Sequence, residues 1–120
     1  MKSFTKKLTS NITILLLILI ASISTASAKI KVVSTFSILG DMVYNIGGNN
    51  IKLTTLVGAN GDGHVYEPTP ADAKSIASAD LVFVNGLGFE GWIDRLVKAS
   101  GYKGKVIIAT KGIKDLKFEG

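Results

Sequence analysis

Hydrophobic positions in residues 29–120 switch repeatedly between strand-like and helix-like spacing. Ile30, Lys31, Val32, Val33, Ser34 and Thr35 form a β-branched run that reads as a strand. Ile38, Leu39, Met42, Val43 and Ile46 then recur at helical spacing until Gly47 and Gly48 end the run. Residues 51–57 read as a second strand. A glycine-rich stretch, residues 58–70, follows it directly. Thr69, Pro70 and Asp72 mark a helix start: Thr69 can cap, Pro70 suits the first helical position, and Asp72 sits where a carboxylate favours the helix dipole. Ala73, Ile76 and Ala77 predict a narrow buried face on that helix. Leu81, Val82, Phe83 and Val84 are apolar on both faces, as a central parallel strand covered by helices on both sides should be. Trp92, Ile93, Leu96 and Val97 stripe a third helix, with Asp94 four residues before Lys98 and Gly101 placed to stop it. Residues 105–109 read as the last strand. The alternation predicts an α/β fold of about four mainly parallel strands joined by crossover helices.

The first 28 residues follow a different pattern. Lys2, Lys6 and Lys7 form a basic lead, residues 12–21 are an almost unbroken apolar run, and Ala26 and Ala28 supply the small side chains a signal peptidase needs. The expectation is a signal peptide over residues 1–28, cleaved after Ala28, and an exported, periplasmic mature chain. The apolar run is short of the ~20 residues that cross the hydrocarbon core, so no stable membrane anchor is expected after cleavage. The chain has no cysteine, which excludes both an acylated N-terminal Cys and a disulfide framework. Removing residues 1–28 lowers the formal charge from +5 to +2, leaving eleven basic and nine acidic residues. The remaining charges read as dispersed, without the basic stripe or aromatic ladder that tracks nucleic acid.

The chemistry concentrates in residues 58–70, which hold the only histidine, His64, with Asp62, Glu67 and both prolines. Glycines before His64 and prolines after it shape the loop on both sides. Neutral imidazole is a common ligand of zinc, manganese and other first-row ions, and its second nitrogen needs a hydrogen-bonded partner to fix the tautomer. Asp62 and Glu67 are the candidates for that outer role. A solvated turn histidine is the competing reading, because one ligand falls short of the three or four a bound transition metal takes. Ligands of open α/β sheets bind beyond the carboxyl ends of the strands, so the turn at Thr35, Phe36 and Ser37, the His64 loop and residues 85–90 should line one edge.

Two other chemistries fail on context. Gly86, Gly88 and Gly91 fit G-x-G-x-x-G, but in the third βα turn, with Lys111 where an acidic residue belongs and with Glu90 placing a carboxylate where a pyrophosphate would lie. A tight strand-to-helix turn, with Phe89 and Trp92 packed beside the loops, is the better reading. No nucleophile and base pair can be assembled around one histidine without a cysteine or a G-x-S-x-G elbow. An exported hydrolase would have to use His64 with Asp62 or Glu67, and no catalytic residue is assigned.

The phrase Gly61-Asp62-Gly63-His64-Val65-Tyr66-Glu67-Pro68-Thr69-Pro70-Ala71-Asp72 resembles the first metal-ligand motif of the solute-binding proteins of zinc and manganese ABC transporters. Residues 33–41 and 79–92, the latter carrying Asn85-Gly86-Leu87-Gly88-Phe89-Glu90-Gly91-Trp92, extend the match in the same order. The resemblance implies two α/β lobes joined by a long helix, with one ion held between them and His64 as its first ligand. It further implies capture of zinc, with manganese as the alternative, and delivery to a membrane ABC permease. Residues 29–120 then correspond to an incomplete N-terminal lobe, the other ligands lying beyond the motifs present. A surface or adhesion module is a third reading. If the signal peptide is read correctly, N-terminal sequencing of the secreted product returns Lys29 as its first residue; Met1 retained on a membrane-bound product contradicts it.

Overall fold

The computed structural model describes residues 1, 3–7, 9, 12 and 27–117. Most of the apolar leader run, together with Ala26 of the expected cleavage site, lies outside them. Among the described residues no helix is long and apolar enough to cross a membrane.

Four strands, β1 (Ile30–Phe36), β2 (Ile51–Val57), β3 (Leu81–Val84) and β4 (Lys105–Ile108), form one sheet in the order β2-β1-β3-β4. Every pairing is parallel, with Val32 beside Leu53 and Leu81, and Val82 beside Val106. Three helices connect them: α1 (Ser37–Gly47), followed by a 3-10 turn at Gly48–Asn50, then α2 (Pro70–Ala77) and α3 (Ile93–Ser100). This is the α/β architecture the alternation predicts. Thr69 and Asp72 close a reciprocal capping box at the start of α2, and Gly101 ends α3 in the left-handed region at φ 71°.

The helices divide between the two faces. α2 and α3 cover one, where Val33, Val57, Ile76, Val82, Trp92 and Leu96 form the main core. α1 packs on β1 and β2 from the other side through Leu39, Gly40 and Val43. Its approach is close because position 40 is glycine: a Cβ there would lie 2.5 Å from Thr55 Oγ1 and 2.8 Å from Ser34 Oγ, two hydroxyls that hydrogen-bond each other at 3.1 Å.

Three details depart from the periodicity. In α1 the neighbours Ile38, Met42 and Ile46 are exposed, because the helix turns its Leu39 and Val43 line inward. In α2 Ile76 is buried but Ala77 is exposed. In β3 Val82 and Val84 are buried, whereas Leu81 and Phe83 are only half-buried, since α1 sits over β1 and β2 and does not extend across β3. At the β4 edge Val106 and Ile108, on the opposite face beside Val82 and Val84, are open because α3 packs against α2 and leaves β4 largely uncovered.

The charges are also less dispersed than first read. Lys98, Lys103, Lys105, Lys111, Lys114 and Lys117 fall within residues 98–117 against a single acid, Asp115, so the basic excess collects around β4. Ile76, fully buried between α2 and the sheet, tests the main core. Ile76→Ala should cost about 2–4 kcal/mol in urea unfolding, whereas Ala77→Ser should stay within about 0.5 kcal/mol of wild type.

Candidate functional site at the carboxyl edge of the sheet

β2 delivers the chain into residues 58–69, and the loop runs over the carboxyl ends of β1 and β3 before α2 begins. Its two ends are held by different means. Near the apex, the Trp92 indole Nε1–H donates to the Gly63 carbonyl at 2.6 Å, a buried bond from the start of α3. At the exit, the Asp72 carboxylate accepts from the Tyr66 hydroxyl at 2.9 Å, the Thr69 N–H at 2.7 Å and the Thr69 hydroxyl at 2.9 Å. Tyr66 also meets Trp92 edge to face, with centroids 5.2 Å apart. Burial, and then the Asp72 carboxylate, pushes the Tyr66 hydroxyl above its ordinary pKa, so it remains a donor to Asp72.

His64 lies between these anchors with its side chain 63 % exposed. Asp62 Oδ1 accepts from the His64 backbone N–H at 2.8 Å and lies 3.1 Å from Nδ1 of the ring. The backbone bond, and next the ring contact, hold the Asp62 carboxyl below its ordinary value. A carboxylate with a lowered folded pKa favours the fold above its unfolded pKa and loses that contribution as pH falls through the folded one, so the pair is intact at neutral pH. Nδ1 donating to this carboxylate leaves the lone pair on Nε2, the arrangement a metal-ligating imidazole takes.

Phe89 fixes the ring from another side. Its centroid is 4.2 Å from that of His64 at 60°, and it meets Phe36 at 4.8 Å. Glycine at position 63 makes room for this, since a Cβ there would lie 2.7 Å from Phe89 Cε1.

Of the residues singled out by sequence, the structure brings Asp62 to His64 but not Glu67. Tyr66 turns inward to Trp92 and Asp72, so Val65 and Glu67 on either side of it face solvent, and no hydrogen bond joins Glu67 to His64 among the described residues. Among those residues no three His, Cys, Asp or Glu side chains gather into a metal-binding cluster. This segment therefore presents one imidazole with one carboxylate behind it.

The sequence placed Glu90 in a loop at this edge but gave its carboxylate no role there. Its side chain is buried, 5 % exposed, where the β3 turn meets α3. Oε1 accepts from the Thr35 hydroxyl at 2.5 Å and the Asn85 N–H at 2.6 Å, and Oε2 from the Gly86 N–H at 3.1 Å. The turn carries positive φ at Gly86, Leu87 and Gly88, and two of its N–H groups converge on the chain's own carboxylate where a bound phosphate would sit. The available signal was an acid placed directly after a glycine-rich strand-to-helix turn.

The family model described as zinc-uptake complex component A, periplasmic (ZnuA), matches residues 32–120. The manganese-binding lipoprotein MntA of Halalkalibacterium halodurans is 45% identical over 69 residues, covering 58% of this chain and 23% of that protein. The manganese ABC transporter substrate-binding lipoprotein PsaA of Streptococcus pneumoniae is 40% identical over 105 residues, covering 82% of this chain and 34% of that one. Among solved structures, the Mn-bound periplasmic metal binding protein from Candidatus Liberibacter asiaticus matches with TM-score 0.68 at 40% identity, over 74% of this chain and 33% of that one. The Zn(II)-bound ZnuA-like domain of Streptococcus pneumoniae AdcA matches with TM-score 0.65 at 26% identity, over 72% and 33%. The chain spans about a quarter to a third of the length of the curated relatives it matches.

The packing of Gly63 against Phe89 yields a test. Gly63→Ala should destabilise the fold by about 1–3 kcal/mol, because the ring must move to admit the methyl group. The same variant should remove the ring-current shift that Phe89 imposes on the His64 ring protons, read by proton NMR. Unchanged His64 ring signals would show that the contact does not hold the imidazole.

Proposed function

The chain belongs to the periplasmic zinc-uptake component A (ZnuA) family, and from that membership we propose that it serves the substrate-binding component of a metal ABC uptake system. In this reading the cargo is a divalent transition-metal ion, the partner is the membrane permease, and the working compartment lies outside the cytoplasm. The chain contributes binding and not catalysis.

One observation carries the reading. The His64 ring is oriented by Asp62 at Nδ1 and by Phe89 at its edge, and it stands at the carboxyl edge of a parallel sheet with Nε2 left to act as a donor. A protonated imidazole has no lone pair to give, so capture weakens on acidification. The sequence motif suggested zinc first. The family description names zinc, and MntA and PsaA carry manganese in their names, so both ions belong in the test. The hydrolase alternative needs a nucleophile hydrogen-bonded to His64, and among the described residues the ring's only hydrogen-bond partner is Asp62. No observation favours the adhesion reading.

Competition against a chelating dye at neutral pH, with zinc and manganese in parallel, tests the proposal on residues 29–120. One imidazole should bind orders of magnitude more weakly than a site with four protein ligands, and His64→Ala should abolish what binding there is. Binding that survives His64→Ala would remove His64 from the site. Tight stoichiometric binding lost in His64→Ala would show that this segment is a complete site by itself.

A further inference from the structure

We propose that Glu90 is a positioning residue for the His64 imidazole: its buried carboxylate locks the β3–α3 turn to the end of β1, and thereby holds Phe89 and Trp92 where they fix the His64 loop. The inference rests on the metal-capture reading for its functional meaning, but the geometry stands without it. Thr35 and Glu90 are 55 residues apart and fully or almost fully buried. Their hydrogen bond joins the carboxyl ends of two neighbouring strands, β1 and β3. On one side of Glu90 in sequence is Phe89, against the His64 ring; two residues on is Trp92, whose indole holds the Gly63 carbonyl. Rotation or withdrawal of the turn would therefore move both groups that touch the loop at residues 63 and 64.

The chemistry of the clamp explains why a carboxylate is used. A carboxylate only accepts, and here one oxygen takes two donors and the other a third. A glutamine of the same shape must point its NH2 group at Thr35 and Asn85 or at Gly86. Either orientation sets a donor against a donor in a buried place, where unmade hydrogen bonds are costly.

The 120-residue chain holds one histidine and one tryptophan, so the His64 ring nitrogens and the Trp92 indole N–H each give a single NMR signature. In the wild type the ring should rest in the Nδ1–H tautomer, and the indole proton should lie downfield as a hydrogen-bonded one. In Glu90→Gln the His64 nitrogens should shift toward the tautomer mixture of free imidazole, and the indole proton should move upfield. Thr35→Val should do the same to a smaller extent, while Thr35→Ser, which keeps the hydroxyl, should match the wild type. Val43→Ala, in α1 on the opposite face of the sheet, should lower the unfolding midpoint without moving either signal. If Glu90→Gln fails to fold, the comparison of Thr35→Val with Val43→Ala decides. The proposal is overturned if the folded clamp variants leave both signatures where Val43→Ala leaves them. Because no metal enters this experiment, failure of the metal titration and failure of the clamp are separate results.

Discussion

The site depends on the order in which the strands are laid down. The chain places β2 on one side of β1 and then crosses to put β3 on the other, so α1 leaves β1 toward one face while α3 leaves β3 toward the opposite face. Such a reversal opens a crevice at the carboxyl ends of the two central strands. Half-buried peptide groups at the bottom of the crevice need partners. Glu90 supplies acceptors to two of them and to Thr35, and the His64 loop crosses the mouth above, held by Trp92.

The strands and helices were legible because local chemistry and packing agree on them. Residues 51–57 are bounded by a turn before and a glycine after, and the Thr69, Pro70 and Asp72 start contains its own capping partners. Asp62 was legible for a related reason: a carboxylate two residues before His64 reaches both the backbone N–H and the ring. Which apolar line of α1 turns inward was not legible. Ile38, Met42 and Ile46 match the helical period as well as Leu39 and Val43 do, and only the glycine contact with Ser34 and Thr55 sets the rotation. For Glu90 the place was legible, since residues 35–37 and 85–90 were expected at one edge, but the clamp was not: no spacing in the chain specifies that its carboxylate takes the Thr35 hydroxyl and the Asn85 and Gly86 N–H groups.

The lysines of residues 98–117 have a structural logic too. Among the described residues β4 lies at the edge of the sheet, with Val106 and Ile108 exposed. Lys103 and Lys105 stand at its start and Lys111 beyond its end, so like charge collects along that strand. A net charge calculated for the whole chain conceals this, because the acids lie mostly in residues 41–94.

The energetics of the His64 loop separate orientation from affinity. Orientation is met locally: Asp62, Phe89 and Trp92 restrict the ring and its backbone, so in the proposed role little rotamer freedom would be lost at Nε2. Affinity is not, because coordination energy grows with the number of donors and a single neutral imidazole leaves the remaining positions to water. An exposed ring held this firmly contributes little to the core, since its contacts are one solvent-facing carboxylate and one ring edge. The loop therefore holds its backbone at Gly63 by a buried hydrogen bond and its exit at Asp72 by part-buried and exposed ones, and leaves the imidazole outward. That division suits a ligand whose tight hold on an ion requires further donors converging from elsewhere.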